Sequence, residues 1–591
     1  MKPTLLPGLK RSLLLGAGLV LILVAVYLPT GWYDELPISR EELSTPPIAG
    51  VTLVRLCFAV EGLLLLWVAW RTHKRDTGAD DAHLNLPSLI GHDLRHPGVW
   101  LALITVLAAA LRIFRLDADL WLDEITTVLG YRGMSPFHLI TAYTSSNNHL
   151  LNTLLLKGSM AVFGVTEWAI RMPALIFGIA GIPAQYLLAR LALHRREAMI
   201  SAFLLAVSYH HIFFSQNARG YTAHFVWTSL GTYFLLRLLT RGRKSDFVLY
   251  VVTMFLCLAS ILYGWMVWAG HITVLGTVCL WRWHRSQPFV PLLRRLLAAL
   301  GLVGLLGFHL NASIIPQVYA YVTHVYTTQA TGYSAFSLEF LSELKRGIVA
   351  GFGQSPLFAA MAGLVVISAI AYCAARRPVY CLALFSPLLV TATVLLLRGL
   401  LFSPRFFLWA LPVTFIVVPM AAEAVGRTVT DRALPSWRAL RWLGNNSTLL
   451  VALVFLVVSV RSYPYYYTTP KQPTRRALQW ILEQKQEGDV LATAYLAEWG
   501  VRFYGPQMGL EEGRSFLVVR SAETLQDVEK DHPDSTIWIL TTFSRALSLD
   551  RPGLYEHITS IYRPLETFPA TIGNGEITIW RSDQRAGGEN P

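Results

Sequence analysis

Apolar segments of membrane-spanning length recur along this chain and limit its fold more than any other feature. About thirteen segments reach or approach the length of roughly 17 to 25 residues that a helix needs to cross the hydrocarbon core of a bilayer. They lie near 12–29, 49–70, 98–115, 168–190, 198–216, 222–239, 246–263, 265–281, 296–316, 349–373, 379–397, 406–424 and 447–461. Hydrophobic residues make up 54% of the chain and charged residues only 15%, and the mean hydropathy is +0.45. The sequence therefore predicts a mainly α, polytopic membrane protein with about thirteen transmembrane helices.

The basic residues are concentrated on one side of these segments. The net charge is +13, but Lys and Arg form short clusters between apolar segments, which indicates topology rather than nucleic-acid binding. The positive-inside rule makes the N-terminus cytoplasmic together with the clusters "RTHKR" (71–75), "RLALHRRE" (190–197), "RGRK" (241–244) and "WRWHR" (281–285). The loops 116–167 and 317–348, and the chain after 461, are then predicted on the outer side of the plasma membrane.

The chain changes character after the last apolar segment. In 462–591, "RRALQWILEQKQEGDVLATAYL" has helical periodicity followed by a strand-like run, and "STIWILTT" and "EITIWRS" are typical of further strands. This stretch is long enough to bury a core, so we expect a soluble α/β domain outside the membrane. The five cysteines lie in apolar segments and predict neither a disulfide framework nor a zinc site.

The first outer loop contains two adjacent acids, Asp123 and Glu124 in "LWLDE", where the chain leaves an apolar segment. Amphipathic patterns follow in this loop, so we expect helices on the outer membrane surface, with the acids at the start of the first. Acids in the first turn can simply cap a helix. They can also be catalytic groups at the membrane surface. The two residues alone leave both interpretations open.

Other polar residues are expected on the same face of the membrane. Arginines in short outer turns oppose the positive-inside rule, so Arg219 and Arg405 are candidates for binding an anionic lipid phosphate. Snorkelling to the interface would also explain them, an aromatic belt would explain Tyr263, and His271 could be a satisfied core histidine. The further candidates are Lys157 for the phosphate and Asn148, His149, Tyr221, Tyr263 and His271 for the substrate.

Two observations bear on metals and transport. Asp117 and Asp119 could hold a divalent cation through hard oxygen ligands, although such pairs are common by chance. Ionisable residues inside the spans are few, chiefly Arg55, Glu61 and His309, and this argues against an ion-coupled transporter. We predict no bound metal and no cofactor.

These residues resemble a known family. "LWLDE", "NNHLLNTLLLKG", "AVSYHHIFFSQNARGY" and "SPRFFLWALP" occur in an order similar to that of bacterial membrane glycosyltransferases of the GT-C fold, the group with protein O-mannosyltransferases and lipid A aminoarabinose transferases. The resemblance implies a catalytic membrane domain over 98–461, with Asp123 as base and Glu124 as companion acid. Arg219 and Arg405 stand where relatives hold the lipid phosphate. His149 matches, but prolines usual beside it are absent, and 1–97 is an added N-terminal hairpin.

The function that the resemblance implies is transfer of a sugar from a polyprenyl phosphate to a glycan, lipid or protein acceptor on the outer face, usually with inversion. A base for the acceptor's proton and positive charge for the departing phosphate fit that chemistry. The alternatives are an oligosaccharide ligase or polymerase with diphosphate-linked donors, and a protein that binds or flips the lipid carrier without catalysis.

Overall fold

The computed structural model describes residues 7–28, 47–71, 98–326 except 144 and 146, 356–398, and 407–582 except 435. Arg405 and residues 327–348 of the predicted outer loop lie outside the described residues. Within these ranges, the acidic loop is preceded by α1 (Pro7–Tyr27), α2 (Pro47–Arg71) and α3 (Gly98–Ile113). The loop itself contains α4 (Leu122–Tyr131), α5 (Pro136–Thr141) and α6 (Leu150–Phe163). Helices are thus present in the loop 116–167, where the amphipathic patterns indicated them.

The rest of the membrane region is also helical. It comprises α7 (Glu167–Ala189), α8 (Arg195–Ala206), α9 (Tyr209–Ser215), α10 (Tyr221–Thr240), α11 (Lys244–Ser260), α12 (Gly264–His284), α13 (Val290–Asn311), α14 (Ile315–Ala320), α15 (Pro356–Arg376), α16 (Pro378–Leu397), α17 (Ala410–Arg432), α18 (Arg438–Asn445) and α19 (Ser447–Thr468). A π-helical turn, Tyr321–Tyr326, follows α14.

The number of membrane spans is lower than expected among the described residues. A helix or helix pair lies at each of the predicted segments, but seven helices are long and apolar enough to cross a membrane, or up to eight with one bent pair. That pair is α8 and α9, which meet at 59°. Several others, α3 among them, are apolar but shorter. The chain is a multi-pass membrane protein, and the predicted count of thirteen is not confirmed.

The break between α8 and α9 has a physical cause in α3. Arg112 is fully buried, and its guanidinium donates to the carbonyl of Ala206 at 2.9 Å and of Leu205 at 3.2 Å. A helix end leaves its last carbonyls without intrahelical partners. Arg112 satisfies those of α8, so the chain can turn there inside the protein and enter α9.

Arg55 and Glu61 in α2 each have a partner outside that helix. Glu61 lies 2.9 Å from His309 Nδ1 in α13, and Arg55 donates to the carbonyl of Leu28. The contact between Glu61 and His309 therefore joins α2 to α13 and connects the first helices to the bundle.

The C-terminal stretch forms the expected α/β unit. Its strands are β1 (Val490–Ala494), β2 (Leu517–Val519), β3 (Ile537–Thr542), β4 (Tyr562–Phe568) and β5 (Ile577–Ser582), in the order β2-β1-β3-β5-β4. β1 pairs in parallel with β2 and β3, whereas β5 pairs antiparallel with β3 and β4. The helices are α20 (Thr474–Gln484), α21 (Ala497–Tyr504), α22 (Ala522–Asp531), α23 (Ser544–Asp550) and α24 (Pro552–Ile561).

Two of the strands were not predicted. β2 has only three residues, too few for a visible alternation. β4, "YRPLETF", carries Pro564 and several exposed side chains. Proline is tolerated there because β4 is an edge strand, where a missing backbone donor costs no ladder hydrogen bond.

Candidate functional site

The two adjacent acids occupy different environments at the start of α4. Glu124 is fully buried and accepts two hydrogen bonds from Arg171 in α7, Nε to Oε1 at 2.8 Å and Nη2 to Oε2 at 2.7 Å. Its Oε1 also accepts the backbone N–H of Ala218 at 2.8 Å, and its Oε2 that of Trp121 at 3.3 Å. Glu124 thus caps α4 and fixes this helix to α7 and to the turn before α10.

The charge of Glu124 is stabilised within the protein. Burial favours a raised pKa, but the positive charges of Arg171 and Lys471 outweigh it and hold the pKa of Glu124 below its ordinary value. The Lys471 ammonium lies 3.9 Å from Oε1. The carboxylate is therefore ionised and surrounded by protein donors, which favours a structural role over direct contact with a substrate.

Asp123 faces a different partner and keeps some access to solvent. Its side chain is 16% exposed, and its Oδ2 lies 3.7 Å from Nη1 of Arg219. The same Nη1 donates to Oδ1 of Asn147 at 2.5 Å, and Asn147 donates in turn to the Thr126 hydroxyl at 2.8 Å. Asp123 and Arg219, separated widely in the sequence, are brought together as an acid and a cation at one partly open place.

Arg219 retains unused hydrogen-bonding capacity. The residue is 3% exposed, and its Nε has no hydrogen-bond partner within the described part of the chain. A buried donor of this kind normally has a partner, and its absence here calls for an explanation. An anion placed beside Asp123 would supply the acceptor.

The turn that carries Arg219 is fixed at both ends. The hydroxyl of Tyr466 donates to Gln216 at 2.5 Å, and the N–H of Gly220 donates to Nδ1 of His149 at 2.8 Å. A Cβ at position 220 would lie 2.8 Å from the carbonyl oxygen of Ser260, so this close approach requires glycine. His149 also contacts Tyr221 edge to face, with ring centroids 5.2 Å apart. His149 and Tyr221 therefore lie beside Arg219, and their roles in substrate binding stay predictions.

Aromatic residues line a pocket next to this turn. Its walls are Tyr221, His224, Phe225, Ile261, Tyr263, Leu408 and Trp409. The Arg219 guanidinium carbon is 5.8 Å from the centroid of the Tyr221 ring. The predicted residues Tyr221 and Tyr263 thus share one pocket, and Arg219 is close to its edge.

Two other predicted residues have partners within the protein. Lys157 donates to the carbonyls of Tyr131 and Arg132 at the end of α4, at 3.4 and 2.5 Å. Asn148 donates to the carbonyl of Leu139 at 3.1 Å. The roles of Lys157 in phosphate binding and of Asn148 in substrate binding stay predictions.

His271 lies in the core of the helix bundle. It is fully buried, with Nε2 at 3.3 Å from the Thr232 hydroxyl and Nδ1 at 3.1 Å from the Tyr250 hydroxyl. This placement agrees with the alternative of a satisfied core histidine, and a role of His271 in substrate binding stays a prediction.

Asp117 and Asp119 also lie in different environments. Asp117 is exposed, whereas Asp119 is buried and accepts the backbone N–H of Arg475 at 3.1 Å, with the Arg475 guanidinium 3.3 Å away. Burial raises the pKa of Asp119 in spite of this cation. Within the described ranges, no three potential metal ligands lie together.

Sequence reasoning missed several residues of this region, namely Arg171, Lys471, Gln472, Arg475 and Tyr504. Arg171 could have been found, because an arginine in an apolar span needs a partner, and an acid just outside the membrane is one. The other four follow the last span, and no pattern in that stretch shows that they return to the acidic loop.

Comparison with known proteins supports the resemblance. A family model described as dolichyl-phosphate-mannose-protein mannosyltransferase matches residues 150–305. Over these residues the chain is similar to dolichyl-phosphate-mannose-protein mannosyltransferases. The match covers less than half of the chain, from α6 into α13, and it includes Arg219 but not Asp123. No curated protein matches the chain.

Solved structures show only a distant similarity. ArnT from Cupriavidus metallidurans, in the apo state and bound to undecaprenyl phosphate, is 14% identical, with TM-scores of 0.42 and 0.41; 83% of this chain and 99% of that chain are covered. The apo oligosaccharyltransferase from Archaeoglobus fulgidus is 13% identical with a TM-score of 0.47, over 79% of this chain and 72% of that chain. These values are too low to transfer residue roles.

Proposed function

We propose that this protein is a glycosyltransferase that moves a sugar from a polyprenyl-phosphate donor to a glycan, lipid or protein acceptor at the outer face of the plasma membrane, with Asp123 as the base. The observation that carries this proposal is the pairing of Asp123, partly exposed, with Arg219, a buried cation that has an unused donor. A lipid-linked phosphate is the anion that a site at the membrane surface would meet. The dolichyl phosphate in the matching family's description is of the same chemical class.

The reaction is a single displacement. Asp123 accepts the proton of an acceptor hydroxyl, and the oxygen's electron pair forms a bond to the anomeric carbon of the sugar. The bond between that carbon and the phosphate oxygen breaks on the opposite side, so the configuration inverts. The phosphate leaves with the electron pair, and Arg219 stabilises its charge.

The pocket beside Arg219 fits the donor side of this reaction. Tyr221, Tyr263 and Trp409 offer aromatic faces and Ile261 an apolar surface. Such a lining suits a sugar ring or the first isoprene units of the carrier. The outer location rests on the one-sided distribution of Lys and Arg, and it would place the α/β domain outside as well.

Transfer assays with matched carriers test the proposal. Native mass spectrometry of the purified protein first identifies the co-purifying lipid phosphate and its sugar. The same sugar is then supplied on a monophosphate and on a diphosphate carrier in competition. We expect transfer from the monophosphate. Preference for the diphosphate would support a ligase or polymerase, and movement of the lipid without transfer would support a flippase.

A further inference from the structure

The segment that precedes Asp123 is held by side chains of the C-terminal domain. The Leu120 N–H donates to the hydroxyl of Tyr504 at 2.8 Å, and the Leu122 N–H donates to Oε1 of Gln472 at 2.9 Å. Leu122 begins α4, so its N–H has no partner within the helix. The backbone on the N-terminal side of Asp123 is therefore satisfied from a distant part of the chain.

The same side chains are anchored in the C-terminal domain itself. Gln472 donates through Nε2 to the hydroxyl of Thr542, the last residue of β3, at 2.8 Å. Tyr504 is fully buried at the end of α21. Each side chain thus connects the loop backbone to an element whose position is fixed by the α/β fold.

Apolar packing joins the two regions as well. One hydrophobic cluster contains Leu120, Ile125 and Val128 from the acidic loop together with Leu478 and Val501 from the C-terminal domain. Shared burial of this kind favours one arrangement of the two regions, because separating them would expose apolar surface to water. Arg475 adds ionic contacts to Asp119 and Glu167 at the edge.

We propose that the C-terminal domain is a positioning element of the active site, and that Gln472 and Tyr504 are positioning residues that hold Asp123 in its reactive place. This inference rests on the function proposed above. A base must stay within a few tenths of an ångström of its working geometry, and small displacements reduce turnover strongly. The two hydrogen bonds act directly on the peptide units next to Asp123 without touching its carboxylate.

The test uses the full-length protein with single-group deletions. Tyr504→Phe removes only the hydroxyl that Leu120 contacts, and Gln472→Leu removes the acceptor of the Leu122 N–H at similar volume. The matched control is Tyr562→Phe, since Tyr562 is also buried in the domain but its hydroxyl donates to Glu529 at 2.8 Å, away from the loop. Hydrogen exchange of the peptide covering 116–131, kcat and the donor KM are measured for each.

We expect exchange in 116–131 to accelerate about two- to tenfold in both loop variants, the effect of one net hydrogen bond, with kcat about tenfold lower and the donor KM unchanged. The control should change neither, even if its Tm falls. Faster exchange with normal kcat would overturn the positioning role, and so would unchanged exchange. If the wild type and the control transferred no sugar, the proposed function would fail instead. The exchange rates would then still report whether Gln472 and Tyr504 hold the segment 116–131.

Discussion

Glu124 and Arg171 form a bidentate ion pair closed to solvent, with nitrogen–oxygen distances of 2.8 and 2.7 Å. The exposed fractions of their side chains are 0% and 1%. Arg171 also donates to the backbone carbonyls of Leu116 and Asp119 at 3.0 and 2.9 Å. The pair is thus the centre of the contact between α4, α7 and the acidic loop.

Neutralising Glu124 should destabilise the protein. Glu124→Gln leaves the buried Arg171 without its counter-charge, and breaking a buried pair costs about 3 to 5 kcal/mol. The matched control is Glu512→Gln, which breaks a bidentate contact to Arg502 at a 44% exposed residue and should cost less than about 1 kcal/mol. Thermal unfolding in detergent measures both. Equal small losses would show that the buried pair is not a structural anchor.

Asp123→Asn should remove most of the activity and keep the fold. Asn retains the size and can still accept a capping hydrogen bond, but it cannot take up the acceptor's proton. Turnover should fall at least about a hundredfold, the low end of a general-base contribution. Asp117→Asn, an exposed acid of the same loop, is the control and should be active. A fully active Asp123→Asn enzyme would assign Asp123 to capping.

Arg219→Gln should weaken donor binding. Losing a charge-assisted contact to phosphate should reduce the binding free energy by about 1.5 to 3 kcal/mol. The measurement is the affinity for undecaprenyl phosphate in nanodiscs. Lys157→Met is the comparison, because the Lys157 ammonium already contacts the carbonyls of Tyr131 and Arg132. We expect its effect on affinity to be small. A loss as large as that of Arg219→Gln would place Lys157 at the phosphate.

Lys471 should make stability depend on pH. Burial, assisted by repulsion from Arg171 and opposed by Glu124, lowers the pKa of Lys471 to about 7. The pKa of a lysine in the unfolded chain is about 10.4. Between about pH 7 and 10 the unfolded state therefore binds one more proton than the folded state, and the free energy of unfolding rises with pH. The gain is at most about 1.4 kcal/mol per pH unit.

The measurement compares Tm against pH for the wild type and Lys471→Met. Other groups titrate in the same range, so the effect of Lys471 is read from the difference in Tm between the two proteins at each pH. We expect the Tm of the wild type to increase relative to that of Lys471→Met as pH rises. Parallel curves would contradict the lowered pKa.

The C-terminal domain should lie outside the cytoplasm. Alkaline phosphatase fused after residue 582, the end of β5, should be active in cells, because that enzyme needs an oxidising compartment for its disulfides. A cytoplasmic reporter at the same junction should be silent. The opposite pattern would reverse the orientation inferred from the basic clusters.

Local patterns in the sequence were sufficient for the membrane helices, the helices of the acidic loop and the α/β character of the C-terminal stretch. Hydropathy over a span and periodicity in a helix or strand are properties of neighbouring residues, so they can be seen without the fold. The short strand β2 and the edge strand β4 escaped because their pairing partners, rather than their own residues, make them strands.

The distinction between Asp123 and Glu124 could not be drawn in that way. Both are acids in the first turn of one helix, and neighbouring helical residues point about 100° apart. Which of them meets Arg171 and which meets Arg219 depends on how α4 packs against α7 and the C-terminal domain. Burial and counter-charge come from residues far away in the chain, and those contacts exist only once the protein has folded.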